Sequence, residues 1–419
     1  MNGTEPRIRF KEFGGAWEAD KLSRHLSVSE ERNEDNRYGA TDVFSVSREH
    51  GIVNQIEFQG RSFAGASLLG YRVIHKGQVA YTKSPLKAAP YGIVKADKTK
   101  SGIVSALYGV YDAIADADFV QTFFENDDRL NAYLRPLVNK GAKNTLLVSD
   151  EDALSGEVRF PSLPEQRRIA ELFRNLDETI AATDARLEKL RQSKKSLLEK
   201  MFPRPGASVP EIRFKGFEGE WETRKLGEAF PDSIPNNTFS RAALSDSGIV
   251  RNVHYGDVLI RYGSVLDVAT AKMPFVGDTG FDPQKQCLLR NGDIVIADTA
   301  EDSAVGKMIE IQGIHGEKVV SGLHTIALRP AKLFGMGFVG QYLNSESFHH
   351  QLLPIMQGVK VLSIGKKVLA ETRLQIPSLP EQQRIGAFFC EFDKLIESVQ
   401  KKAAKFRQVK SALLEEMFV

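Results

Sequence analysis

One long segment of this chain occurs twice. Residues 161–202 read PSLPEQRRIAELFRNLDETIAATDARLEKLRQSKKSLLEKMF, and residues 377–418 read PSLPEQQRIGAFFCEFDKLIESVQKKAAKFRQVKSALLEEMF, aligned without a gap 216 residues apart. Each copy opens on a helix-start signal. Ser162-Leu163-Pro164-Glu165 and Ser378-Leu379-Pro380-Glu381 fit a capping box, in which the Ser oxygen accepts from a first-turn N–H and the Glu reaches back to the cap N–H. A heptad follows. Ile169, Phe173, Leu176, Ile180, Thr183, Leu187, Leu190, Lys194, Leu197 and Met201 are spaced alternately by four and three residues. Ile385, Phe389, Phe392, Ile396, Val399, Ala403, Phe406, Lys410, Leu413 and Met417 hold the same sites in the second copy. A 3.5-residue period held this long predicts two coiled-coil helices, each about 50–60 Å long at about 1.5 Å per residue. Lys194 and Lys410 interrupt the seam at one repeated site. They are either polar residues that fix register or lysines that snorkel from a frayed end. Two such helices on one chain are most simply each other's partners, antiparallel; pairing with a second molecule is the alternative.

A shorter strip repeats as well. Arg9-Phe10, Phe13, Gly15, Trp17, Lys21 and Leu22 match Arg213-Phe214, Phe217, Gly219, Trp221, Lys225 and Leu226, now 204 residues apart. The chain is therefore two half-repeats, each a leading strip, a variable globular part and a long helix. The second strip follows directly on the first helix. A pseudo-two-fold then places the first strip near the end of the second helix, so that chain start and chain end meet. The implied boundaries are a leading strip over 1–22, a globular part over 23–160, a helix over 161–203, a second strip over 204–226, a second globular part over 227–376 and a second helix over 377–419. The fold class is α+β, with mixed sheets and helices in the globular parts.

In the first globular part, DVFSVS, YRVI and GQVAYTK read as short strands. Residues 72–100 hold Arg72, Lys76, Lys83, Lys87, Lys95, Lys98 and Lys100 against one acid, Asp97, with Tyr71, Tyr81 and Tyr91 interleaved. Basic residues among aromatics suit phosphate and base contact; the alternative is a solvated lysine face over packed tyrosines. A helix is expected over Asp118–Leu134, followed by the polar turn around Lys143 and Asn144. In the second part, VHYGDVLIRYG and LLRNGDIVIADTAED read as strand–turn–strand, and a helix is expected over Phe338–Leu353. LRNGDIVIA lines up with VIHKGQVAY, and SGLHTIALRP with SGIVSALYGV.

Composition narrows the function. The net charge is only +2, so any nucleic-acid contact must come from local patches. The chain lacks a run of 18 apolar residues, and its two cysteines, Cys287 and Cys390, are far apart, which suits a reducing cytoplasm and offers no metal cluster. Gly335-Met336-Gly337-Phe338-Val339-Gly340 fits GxGxxG but follows no convincing strand, so it is not read as a nucleotide site. His349-His350 are adjacent on a helix and face different ways, and no second pair completes a metal site. Glu301-Asp302 and Asp298 could accept from cytosine amino groups or simply be solvated. No catalytic set emerges, and the chain is expected not to be an enzyme.

The doubled PSLPEQ-x-R-I helix, the strip IRFKGFEGEWETRKLGE (212–228) and the phrases VSREHGI (46–52), HYGDVLIRYG (254–263) and DTAEDSAVGK (298–307) resemble the specificity subunit of type I restriction-modification systems. The resemblance covers essentially the whole chain. It implies two target-recognition domains, each reading one half of a bipartite, asymmetric site on double-stranded DNA, and paired helices acting as a ruler. Half-sites one DNA turn apart need centres roughly 34 Å apart. It further implies two methyltransferase subunits as partners, which carry S-adenosylmethionine and flip out an adenine, and motor-nuclease subunits for restriction. No cofactor is expected on this chain itself. Base-reading residues do not transfer from the family. On chemistry alone the candidates are Arg48, His50, Asn54, Lys83, Lys95, Lys143 and Asn144 in the first half, and Arg251, Asn252, His254, Tyr262, His324 and Lys360 in the second. A scaffold joining two protein-binding domains, with no DNA contact, is the competing reading.

Overall fold

The computed structural model describes residues 4–83, 90–98, 100–140, 146–277, 281 and 283–419. Lys87, Lys143 and Asn144 lie outside them. The chain divides into two compact units, Met1–Thr183 with Lys402–Val419, and Asp184–Lys401. The repeated segments form two long helices, Leu163–Met201 and Leu379–Glu416. Each unit contains the first part of one helix and the last part of the other, so the pairing can be followed within each unit.

In the first unit, Ile169 and Phe173 share a core with Met417 and Phe418, and Lys410 Nζ reaches Asp177 on the facing helix at 2.6 Å and Glu125 at 2.6 Å. In the second unit, Phe202 stacks on Phe389 and Lys194 Nζ reaches Asp393 at 2.5 Å. Both pairings are antiparallel. Lys194 and Lys410 are equivalent, and so are Asp177 and Asp393, so one cross-helix bridge is built twice. The lysine side chains are only 16 % and 14 % exposed, which supports the register reading over the frayed-end one. Burial varies along the heptad positions. Ile169, Phe173, Leu187, Ile385, Phe389, Val399 and Ala403 are buried, while Leu176, Ile180, Leu190, Leu197, Phe392, Ile396, Phe406 and Leu413 are half-buried.

The helix starts differ from the capping-box expectation. Both oxygens of Glu165 face Arg9, at 2.8 Å from Nε and 2.8 Å from Nη2. Glu381 takes Arg213 in the same way, at 2.7 and 2.8 Å. A fully charged, bidentate partner outcompetes a neutral N–H for a buried carboxylate. The neighbouring glutamines complete the joint: Gln166 donates to the Pro161 carbonyl and accepts from the Asp116 N–H, and Gln382 donates to Pro377 and accepts from Gly335. The strips are pinned at their other side too. Ile8 N–H donates to Glu416 O at 3.0 Å and Ile212 N–H to Lys200 O at 2.9 Å. The first strip thus meets the end of the second helix within the first unit, as the order of parts in the half-repeats leads one to expect. Trp17 packs edge-on against Phe119 and Phe418, and Trp221 against Phe202. Burying a Trp of about 200 Å² is worth about 5 kcal/mol as an upper bound.

Strand Glu18–Lys21 pairs antiparallel with Glu157–Phe160, and Glu222–Lys225 with Arg373–Ile376. Beyond them each unit carries the same antiparallel sheet. The order is Leu26–Val28, Gly109–Ala113, Val79–Tyr81, Val94–Ala96 in the first unit. It is Asp232–Ile234, Thr325–Arg329, Ile294–Ala297, Met308–Gln312 in the second, where Val265–Asp267 adds a parallel fifth strand. LRNGDIVIA and VIHKGQVAY occupy equivalent strands. Strand Thr325–Arg329 takes the place of Gly109–Ala113 and not of residues 105–109, so the SGLHTIALRP alignment is slipped. The helix expected over Asp118–Leu134 is two, Ala117–Phe123 and Asp127–Leu134, because the Asn126 side chain caps the second. The helix expected over Phe338–Leu353 is likewise broken, into Phe338–Leu343 and Glu346–His349.

The GxGxxG stretch is explained by packing. Glu310, buried on a central strand, accepts the Gly337 N–H at 2.8 Å and the Gly340 N–H at 3.0 Å. An internal carboxylate thus fills the place a phosphate would take. A Cβ on Gly335 would collide with the backbone of Gln382 and Gln383, and one on Gly340 with the Ser264 carbonyl oxygen. Gly340→Ala is therefore expected to destabilise the second unit by about 1–3 kcal/mol, read as a lower urea midpoint; an unchanged midpoint would sink this account.

Candidate nucleic-acid interface

Both globular parts place a capped short helix directly after a strand. In the first, strand Gly51–Asn54 leads into helix Gln55–Gln59, and the Asn54 carbonyl oxygen accepts from Ile56 and Glu57 N–H while its amide donates to Thr41 O. Asn54 is thus a buried cap rather than an exposed base reader. Around this helix apolar rings face solvent beside His50 and Arg61. The His50 ring lies 4.9 Å from that of Phe58, and the Arg61 guanidinium sits 4.6 Å above Phe63. Phe58 and Phe63 are 46 % and 55 % exposed. Gln55 Oε1 holds this loop on the helix by accepting the Phe63 N–H at 2.8 Å. Exposed rings with a cation over the face can stack on bases and contact phosphate. Arg48 is engaged by Asp127.

Three of the basic residues of the stretch 72–100 neutralise acids of their own unit. Arg72 and Lys83 converge on buried Asp150, at 2.5 and 2.7 Å, with Tyr111 Oη donating to it at 3.1 Å. Lys98 pairs with Asp118 at 3.2 Å. Lys95 is half-buried near Glu125, Lys410 and Arg48, and burial lowers its pKa. Tyr81 is buried, its hydroxyl donating to the Tyr91 carbonyl. Lys76 remains exposed. Buried Tyr81 and the paired Arg72, Lys83 and Lys98 thus serve the fold, which is neither a phosphate-facing stretch nor a fully solvated lysine face.

In the second part, HYGDVLIRYG, expected as strand–turn–strand, forms helix Tyr255–Ile260. His254 caps it: Nδ1 accepts the Gly256 N–H at 3.1 Å, and burial lowers the histidine pKa. Asp257, 3 % exposed, holds two arginines, Arg241 at 2.6 Å and Arg261 at 3.1 Å. These guanidinium-bearing side chains are 55 % and 41 % exposed. One buried carboxylate under two cations leaves net positive charge at the surface and holds both forks in place. Lys307 closes the helix end, donating to the Leu259 and Tyr262 carbonyls at 2.9 and 3.0 Å. His324, in the left-handed region at φ 55°, sets its half-exposed ring edge-on to Tyr255, with Nδ1 3.6 Å from Asp298. Two phrases that carry the resemblance, HYGDVLIRYG and DTAEDSAVGK, therefore meet in space.

The other candidates scatter. Arg251 donates to the Val268 carbonyl. Asn252 is fully buried and accepts from Asn237. Tyr262 is 7 % exposed, and burial pushes its hydroxyl to about 12. Lys360 is exposed in a turn. Sequence reasoning missed Arg241, Asp257, Arg261, Arg61, Phe58 and Phe63. Asp257 and Arg261 stand four apart, a helix-face pair, so reading that segment as helix would have found them. Among the described residues no group of acids, histidines and cysteines could hold a metal, and no helix is long and apolar enough to cross a membrane.

Residues 218–406 match the family model described as type I restriction modification DNA specificity domain. A curated relative, the type I restriction enzyme MjaVIII specificity subunit of Methanocaldococcus jannaschii, is 22% identical over 268 residues, 62% of this chain. The match spans 60% of that relative's length. Among solved structures, the type I restriction-modification S subunit of M. genitalium matches at TM-score 0.55 and 13% identity, covering 99% of each chain. A chain from a structure on complex assembly and conformational transition of the type I R-M system matches at TM-score 0.51 and 18% identity, covering 96% of this chain and 97% of that one. These likenesses extend the fold over both units.

The His254 cap makes a titration testable. Its folded pKa lies below the ordinary 6.5, so its contribution to stability is present above 6.5 and is lost as pH falls toward the folded value. His254→Asn keeps a capping acceptor that does not titrate. Melting between about pH 7.5 and about pH 5 should therefore fall less steeply in the variant; parallel curves would refute the cap assignment.

Proposed function

We propose that this chain, whose residues 218–406 match the model of the type I restriction modification DNA specificity domain, is the DNA-reading specificity subunit of such a system. The observation that carries the reading is the frame built twice, the same strip, helix start and cross-helix lysine bridge in both units, bearing globular parts whose exposed side chains differ. A frame with two-fold contacts and unlike reading surfaces suits a bipartite, asymmetric site. Each globular part reads one half, and the paired helices set the spacer and dock two methyltransferase subunits. Those subunits supply S-adenosylmethionine and take an adenine out of the duplex, since a stacked base cannot be reached. Motor-nuclease subunits complete the restriction complex, and this chain contributes no catalytic group.

In the first unit, the His50–Phe58 pair and Arg61–Phe63 are the surface offered to DNA; in the second, Arg241, Arg261 and His324. A map of methylated adenines in DNA from cells expressing this chain with its methyltransferase subunit tests the reading. A two-part motif with a fixed gap is expected. A complex that forms and leaves no motif would favour the scaffold without DNA contact. Arg241→Gln with Arg261→Gln should lower the slope of log binding constant against log salt by up to about 2, at about 0.9 per phosphate contact; a slope equal to wild type would remove both arginines from the interface.

A further inference from the structure

A polar pocket of about 330 Å³ opens within the second unit, where the segment after the first long helix passes strands Glu222–Lys225 and Arg373–Ile376. Arg204, Ser208, Thr223, Ser347, His350 and Arg373 line it, and no carboxylate does. Its walls are tied together. The Gln351 amide brackets the Arg373 backbone, donating to its carbonyl at 3.0 Å and accepting its N–H at 2.9 Å. Gln375 donates its side chain to the Ala207 carbonyl and its N–H to Tyr342 Oη at 3.0 Å. The Ser208 carbonyl accepts from Trp221 N–H at 2.8 Å. Arg204 is paired with Glu211 at 2.6 Å, whereas Arg373 is exposed and has no ion pair among the described residues.

The repeated frame does not demand this lining. The position equivalent to Arg373 in the first unit is Glu157, and that equivalent to Thr223 is Ala19. Both strand pairs form in the same register with opposite charge at this site, so Arg373 is dispensable to the pairing. A pocket at the lower end of the ordinary small-molecule range, about 300–1,000 Å³, lined by guanidinium, hydroxyl and imidazole groups, matches a phosphate-bearing anion. Guanidinium forks bind phosphate oxygens bidentately, and the hydroxyls supply further donors.

We propose that this pocket binds a small phosphate monoester, up to nucleoside monophosphate size, with Arg373 as its principal ligand and Arg204 as the second. The site is separate from the surfaces assigned to DNA and does not depend on that assignment. The test is calorimetric titration of the full-length chain with inorganic phosphate and with AMP, for the wild type, Arg373→Gln and Arg373→Glu. One saturable site is expected for at least one of the two probes, at least about tenfold weaker in Arg373→Gln and lost in Arg373→Glu, with melting temperatures of the free proteins unchanged. No saturable binding of either probe overturns the proposal, as does binding that survives both variants. A duplex oligonucleotide forms the control arm: if Arg373→Gln weakens only duplex binding, the arginine contacts nucleic acid and the small-anion site is refuted.

Discussion

Everything else in this protein hangs on a buried charged joint between strip and helix. Arg9 on Glu165, and Arg213 on Glu381, place both carboxylate oxygens against two guanidinium nitrogens, with the glutamates 1 % exposed. A buried ion pair contributes little net stability against an apolar alternative, but leaving one partner alone is costly, so such a pair selects one arrangement. Around each joint the tryptophan of the strip fills a cage of phenylalanines, and burial there supplies the driving force. The joint decides where the strip lies, and the aromatic cage makes it stay.

The same logic recurs along the helices. Lys194 and Lys410 place ammonium groups inside apolar seams, where each finds the aspartate of the facing helix. A slip by one heptad would bury those charges unpaired, which is how a polar seam residue fixes register. The globular parts use buried carboxylates differently. Asp150 draws Arg72 and Lys83 inward and silences them, whereas Asp257 holds Arg241 and Arg261 with much of each side chain still in solvent. Counting basic residues along the chain cannot separate these two outcomes.

The doubled frame was legible in the residues because a heptad and a gapless repeat are one-dimensional patterns. So were the meeting of the first strip with the second helix end and the rejection of GxGxxG, whose glycines prove to be packing necessities around Glu310. The candidate surfaces were much less legible. Asn54, His254 and Asn252 have the chemistry of base readers, yet the first two cap helices and the third is buried. HYGDVLIRYG reads as strand–turn–strand along the chain, yet the cap at His254 and the buried Asp257 make it helical.

What the amino-acid sequence determined by itself is the plan: two half-repeats, two heptad helices, a lysine in each seam, and strips that share one set of anchoring residues. These follow from periodicity and identity at fixed offsets, which need no knowledge of distance. Only the tertiary structure decided which charges meet. Glu165 could have capped its own helix; Arg9, distant in sequence, took it. Arg72 and Lys83 could have faced a phosphate; Asp150 was nearer. The reason is that an ion pair depends on separation and on water exclusion in space, and neither quantity is written in the order of the residues.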